Sequence, residues 1–190
     1  MKKKGLIILV AVIAVVGIII GFLVGTYNGL VEAEAEVQNT EAQIQVQLQR
    51  RADLIPNFVA TVKGYSDYEQ ETFTAVTNAR AAVSKADTAG EMADAEAQLN
   101  GAIDVWVNAV TEAYPELKAN EQYIALQDEL AGTENRVAQA RNNYNEAAKE
   151  YNVSVRRFPK NIFASMFGFD EVELFEADES ASSVPQVSFD

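Results

Sequence analysis

From Asn120 to Phe158 the chain carries a seven-residue repeat. Tyr123, Leu130, Val137, Tyr144, Tyr151 and Phe158 recur every seventh position, and Leu126, Thr133, Ala140, Ala147 and Ser154 recur three places after them. This is the a/d pattern of a helix packed lengthwise on other helices, as in a coiled coil. At about 1.5 Å per residue the stretch makes a rod of roughly 57 Å, several times an average helix of about 11 to 12 residues. The rest of the chain must surround that rod.

The composition removes whole classes of chemistry. The 190 residues include no Cys and no His, so disulfides, thiolate nucleophiles, Cys/His zinc sites, histidine bases and a lipid-modified cysteine are excluded. A di-iron bundle of the Glu-x-x-His type cannot be built. Three of the 15 basic residues are Lys2, Lys3 and Lys4, which leaves 12 basic against 28 acidic residues in everything that follows. Such an acidic body repels phosphates, so nucleic acid and an extended anionic surface are not expected partners. The run Asp170, Glu171, Glu173, Glu176 lacks the glycine and spacing of a calcium loop, and no Gly-rich phosphate loop occurs. No cofactor is expected.

Gly5 to Val24 is apolar without interruption, and the uncharged stretch continues to Val31. About 20 apolar residues cross a bilayer core, whereas a signal-peptide core has about 7 to 15. The segment is therefore expected to be an uncleaved signal-anchor over residues 5–26, although Ala33 and Ala35 form a small-x-small pair of the kind found at cleavage sites. Lysines before it and Glu32, Glu34 and Glu36 after it place the N-terminus (residues 1–4) in the cytoplasm and the body outside. Tyr27 falls at the outer edge, where an amphipathic ring is at home.

No turn signal follows Tyr27. Leu30, Val37 and Ile44, then Leu48, Ile55 and Val62, keep a seven-residue interval with one shift of four, so the anchor continues as a first helix to about Lys63. Pro56 lies inside it: either Asp53 caps a new segment with Pro56 in its first turn, or the helix continues through the proline with a kink. Ser66 to Glu69 has the form of a capping box opening a second helix with Phe73, Val76, Ala79 and Val83 on its buried stripe. Thr88 to Glu91 repeats the form and opens a third, with Met92, Leu99, Ile103, Trp106 and Val110 on one face. Pro115 drives Tyr114 out of helical geometry, and Asn120 is the expected cap of the long fourth helix.

The expected architecture is thus all-α: a transmembrane helix continuing into a long up-down four-helix bundle over residues 27–158, with a short C-terminal helix and a tail. Antiparallel neighbours of these lengths make a bundle of four in the distal half and only the first and fourth helices near the membrane. Asn161 to Gly168 reads as a short helix with an Asn cap and a glycine stop, carrying Phe163, Met166 and Phe167 and followed by Phe169. This membrane-proximal aromatic segment, residues 159–175, has two readings: it packs on the first and fourth helices, or it dips into the lipid interface. Residues 176–190 read as a flexible acidic tail.

The assembled motifs resemble the LemA family. Tyr27-Asn28, Gln43-Ile44, Arg50-Arg51-Ala52-Asp53-Leu54-Ile55-Pro56-Asn57, Val62-Lys63-Gly64-Tyr65, Glu112-Ala113-Tyr114-Pro115, Gly132-Thr133-Glu134-Asn135, Arg141, Tyr144-Asn145, Tyr151-Asn152, Phe158-Pro159 and Gly168-Phe169 match in order. The resemblance implies an N-terminal membrane anchor followed by an antiparallel helical bundle, and it implies no reaction. The sequence departs from the family pattern at Glu41, where members often have Trp, at Gln45 and Gln49, where many have Asp and Lys, and at Tyr68, where a His is common.

The polar constellation of interest is Arg50, Arg51, Asp53 and Asn57 on the first helix with Glu134, Asn135, Arg141 and Asn145 on the fourth. Three- and four-residue spacings put Asp53 with Asn57, and Arg141 with Asn145, on shared faces. Either these residues are paired and fix the register of the bundle, or they line a groove whose arginines receive a peptide or an anion. The function expected is that of a single-pass cell-membrane protein binding or scaffolding a protein or peptide partner at the envelope, with no catalysis of its own. The alternatives are a membrane-shaping homo-oligomer and an enzyme or enzyme subunit built on an Arg/carboxylate groove.

Overall fold

The computed structural model describes residues 2–63 and 70–175, and among them there is helix but no strand. The elements are α1 (Lys2–Lys63), α2 (Gln70–Val83), α3 (Ala89–Ala113), a 3-10 turn (Pro115–Ala119), α4 (Glu121–Arg156) and α5 (Lys160–Phe167). The capping box at Ser66–Glu69 and the tail over 176–190 lie outside the described residues. The chain divides into two compact units, one of residues 1–42 and 143–172, the other of residues 43–142 and 173–190.

α1 is one unbroken helix of 62 residues, with Pro56 inside it. Asp53 does not cap a new segment; its carboxylate is turned to Arg80 and Gln49 instead. The large apolar side chains from Leu6 to Ile20 are all between 47% and 72% exposed, and the helix is long and apolar enough to cross a membrane. Burial begins with Thr26 and Leu30. From there α1 buries Val37, Thr40, Ile44, Leu48, Arg51, Ile55 and Phe58. The step from Val37 to Leu48 is eleven residues, the four-residue shift seen in the sequence.

α4 makes the same adjustment. Tyr123, Leu130, Val137, Tyr144 and Tyr151 are buried as expected, but in its last turns Ala148 and Val155 are buried while Ala147 and Ser154 are half-exposed. A straight helix drifts by about 20° per heptad, so a strict seven-residue seam walks off the buried face and the burial moves one position on. The helix ends at Arg156, and Phe158 is 77% exposed instead of filling the next core position. Thr40 and Thr133 are tolerated in the core because each hydroxyl bonds to a backbone carbonyl one turn earlier.

In the unit of residues 43–142 and 173–190, α2 packs on α3. The Phe58 ring of α1 lies 5.0 Å from Trp106 of α3 and 5.0 Å from Tyr123 of α4. The turn between α2 and α3 is closed by the capping box read in the sequence: the Glu91 N–H donates to Thr88 Oγ1, and the Glu91 carboxylate accepts from the Thr88 N–H. Tyr114 leaves the helix at φ −131°, ψ 75°, ahead of Pro115. The 3-10 turn that follows, with Leu117 fully buried, was not legible in the sequence. Asn120 Oδ1 accepts the Tyr123 N–H at 3.0 Å and so caps α4.

In the unit of residues 1–42 and 143–172, Leu30 and Val37 of α1 are buried, as are Tyr144, Ala148, Tyr151 and Val155 of α4 and Ala164 and Phe169 beyond it. The short helix starts one residue before Asn161, and its cap position is Pro159 with no side-chain bond. The Asn161 N–H already bonds to the Arg157 carbonyl, which makes it a first-turn residue rather than the cap. Gly168 ends α5 at φ 78°, a conformation open to glycine, and its N–H returns to the Ala164 carbonyl.

Candidate functional site

The polar residues singled out in the sequence separate into several groups. Arg50 donates to Glu129 at 3.0 Å, and the same carboxylate oxygen receives Arg136 at 2.7 Å. All three side chains are more than a third exposed, so these pairs contribute about 0–1 kcal/mol each. Asp53 accepts from Arg80 of α2 at 3.4 Å and from Gln49 one turn earlier at 2.9 Å. The Asn57 carbonyl accepts the Thr61 hydroxyl. Asn57, Asp53 and Arg50 line one wide, open depression on the outside of α1 with Gln45, Val46, Gln49 and Leu54. No α4 residue lines it.

The inner group is different. Arg51 is 3% exposed and donates to Glu134 at 3.3 Å, while its Nε and Nη1 are buried with no hydrogen-bond partner among the described residues. Arg141 donates to Glu96 of α3 at 3.2 Å, and its guanidinium lies 5.0 Å from the centre of the Phe175 ring. Glu96 is itself buried. Burial pushes its carboxyl pKa up, and Arg141 and Arg51 pull it back without cancelling the effect. Asn135 is exposed, and Asn145 is half-buried in the other unit.

Arg50 and Arg51 of α1 thus pair with Glu129 and Glu134 of α4, whereas Asp53 pairs with Arg80 of α2 and Arg141 with Glu96 of α3. Glu96, Glu129, Arg80 and Arg136 carry the partner charges and were not singled out in the sequence. For Glu96 a signal existed: it stands between Met92 and Leu99 at helical spacing, on the apolar stripe of α3. Glu129 and Arg136 each stand one place before a buried heptad position, Leu130 and Val137, where flanking charges pair in coiled coils. Among the described residues no group of three or more acidic side chains could hold a metal ion.

The aromatic segment gathers beside α1. Phe163 lies edge-on to Phe22 at 6.3 Å, and Phe167 and Phe169 lie edge-on to Tyr27 at 5.1 and 5.7 Å. Phe169 is buried and Phe163 half-buried, whereas Ile162, Met166 and Phe167 remain exposed. Beyond α5 the Asn152 amide pairs with the backbone of Val172 in both directions, donating at 2.8 Å and accepting at 2.9 Å.

The profile of the LemA family matches residues 40–189. The chain is 28% identical to Protein LemA of Metamycoplasma hominis over 171 residues, which cover 88% of this chain and 76% of that protein. It is 26% identical to Magnetosome protein MamQ 2 of Paramagnetospirillum magneticum over 204 residues, 94% of this chain and 74% of that one. Magnetosome protein MamQ of Magnetospirillum gryphiswaldense is 24% identical over 208 residues, 96% and 76% of the two chains.

Proposed function

This chain belongs to the LemA family, and from that premise we propose that it is a single-pass membrane protein whose helical body binds or scaffolds a protein or peptide partner at the cell envelope, without a reaction of its own. The observation that carries the reading is α1. Its large apolar side chains from Leu6 to Ile20 are all exposed, which suits a lipid surround, and the same helix continues without a break to Lys63. Lys2, Lys3 and Lys4 before the span and Glu32, Glu34 and Glu36 after it support a cytoplasmic N-terminus and an extracytoplasmic body.

The interior supports binding over catalysis. Its aromatic residues fill space between helices, as Phe58, Trp106 and Tyr123 do, and its buried charges Arg51 and Glu96 face other protein charges, Glu134 and the half-buried Arg141. The relatives named as magnetosome proteins are named for an assembly and not for a reaction, which supports the same reading.

Two measurements test it together. In native membranes, the full chain is expected to stay in the pellet after alkaline carbonate, and protease added outside intact cells is expected to degrade the body. Release by carbonate removes the anchor, and a body protected until lysis reverses the orientation.

A further inference from the structure

The turn between α4 and α5 carries large apolar side chains that are exposed. Phe158 is 77% exposed there, and Ile162, Met166 and Phe167 of α5 are exposed beside it. Two ring contacts fix where this patch lies along α1: Phe163 with Phe22, and Phe167 with Tyr27. From Phe163 to Phe167 α5 advances about 6 Å, and from Phe22 to Tyr27 α1 advances about 7.5 Å. The two contacts follow the same order along both helices. The start of α5 is thus placed beside the end of the apolar run, which closes at Val24.

The charges at the turn run against the composition of the body. Of the 12 basic residues after Lys4, Lys149, Arg156, Arg157 and Lys160 fall within one stretch of twelve, where Glu150 is the single acidic residue. Arg156 is paired with Glu171 at 3.6 Å. Arg157 and Lys160 enter no ion pair among the described residues.

We propose that this turn and α5 form a lipid-binding element: Phe158, Ile162 and Met166 enter the interfacial layer of the leaflet where α1 emerges, and Arg157 and Lys160 hold phosphate groups of anionic phospholipids. The proposal rests on α1 spanning the bilayer. Given that span, the height set by Phe22 and Tyr27 puts the turn at the headgroup and acyl boundary. There apolar side chains lose contact with water and long cationic ones reach up to phosphates. Lipid is favoured over a protein occupant because the exposed face is continuous with the bare face of the span. An acidic body that would otherwise repel an anionic surface also concentrates its free cations here.

The absence of cysteine gives a direct test in the full-length protein. Phe158→Cys, Val12→Cys and Val105→Cys are labelled with an environment-sensitive fluorophore and reconstituted in vesicles of phosphatidylcholine and phosphatidylglycerol. Lipid-borne nitroxide placed near the headgroup is expected to quench the label at 158, and mid-chain nitroxide the label at 12. Aqueous iodide is expected to quench the label at 105, an exposed position on α3. Iodide quenching at 158 equal to that at 105, with 12 still quenched from the lipid, overturns the proposal and leaves the anchor standing. Loss of lipid quenching at 12 overturns the anchor and the proposal with it. Shielding of 158 from both quenchers means that a second copy covers the turn, which also overturns it.

The phosphate contact is read separately, as energy transfer from the label at 158 to acceptor-labelled phosphatidylglycerol relative to phosphatidylcholine. Arg157→Gln with Lys160→Gln is expected to lower that preference by roughly fivefold per cation, and Arg157→Lys to retain it. A preference unchanged by the double substitution overturns the assignment of these two side chains.

Discussion

The Arg51 guanidinium meets the Glu134 carboxylate at 3.3 Å, with the arginine side chain 4% exposed and the carboxylate 58% exposed. The pair is therefore lopsided. Glu134 recovers its hydration if the contact is lost, whereas Arg51 is held in the interior with Nε and Nη1 unpartnered among the described residues. A buried donor left without a partner costs about 1–3 kcal/mol, and an isosteric apolar replacement of a buried charge is often neutral or stabilising.

Arg51→Met is accordingly expected to leave the full chain within about 1 kcal/mol of its native stability or above it, whereas Arg51→Ala, which removes the packed stem as well, loses about 2–5 kcal/mol by analogy with long apolar side chains truncated in cores. Thermal unfolding in detergent, followed by circular dichroism, reads both. A methionine variant that falls as far as the alanine variant would mean that the charge, and not the volume, holds α1 to α4.

Glu96 makes stability depend on pH in a definite direction. Its carboxyl pKa in the folded protein is raised, chiefly by burial and further by Glu134, against the opposing pull of Arg141 and Arg51. A raised carboxyl pKa means that the folded state binds more protons than the unfolded one through the titration. The contribution is then full below the ordinary value of 4.5 and is lost as pH rises through the folded pKa. Glu96→Gln keeps an acceptor for Arg141 and cannot ionise. Its melting temperature relative to the native chain is expected to rise as pH is taken upward from 4.5. A difference that stays flat with pH would show that the arginines fully compensate the burial.

What could be read in advance followed from local rules, and what could not depended on tertiary partners. The stripe of Met92, Leu99, Ile103, Trp106 and Val110, the Thr88–Glu91 cap, the Asn120 cap and the Gly168 stop each need only a few neighbours in sequence, and all of them stand in the structure. The inner polar pairs need distant neighbours. Arg141 was visible as a charge near a heptad seam, but its partner Glu96 is 45 residues away on another helix. Phe158 failed for a different reason: the heptad extends to it, yet Pro159 has no N–H to offer and the chain has left helical geometry after Arg156.

The box that closes the α2–α3 turn is a local device with a measurable worth. Thr88 Oγ1 satisfies the Glu91 N–H at 3.2 Å, and the Glu91 carboxylate accepts from both Thr88 and Asp87 backbone N–H groups. Thr88→Ala is expected to destabilise the chain by about 1 kcal/mol, and Thr88→Ser or Thr88→Asp to be nearly neutral. Equal melting temperatures for the alanine and serine variants would mean that packing of α2 on α3 holds the turn without the cap.

Asn152 pairs with Val172 as one peptide group pairs with another: Nδ2 donates to the carbonyl at 2.8 Å and Oδ1 accepts the N–H at 2.9 Å. This fastens an extended segment to α4 without reading its side chains, just after Phe169 has buried itself against Tyr27. With about 0.5–1.5 kcal/mol for each bond, Asn152→Ala is expected to lower hydrogen-exchange protection of the Val172 amide by roughly tenfold or more. Asn152→Asp separates the two bonds. An ionised aspartate still accepts the Val172 N–H but sets negative charge against the Val172 carbonyl, so protection falls at neutral pH. Protonated, it donates once more, and protection measured against the native chain at the same pH is expected to recover as pH drops through the ordinary carboxyl range of about 4. Protection unchanged in both variants would mean that the burial of Phe169, and not the paired amide, holds this segment in place.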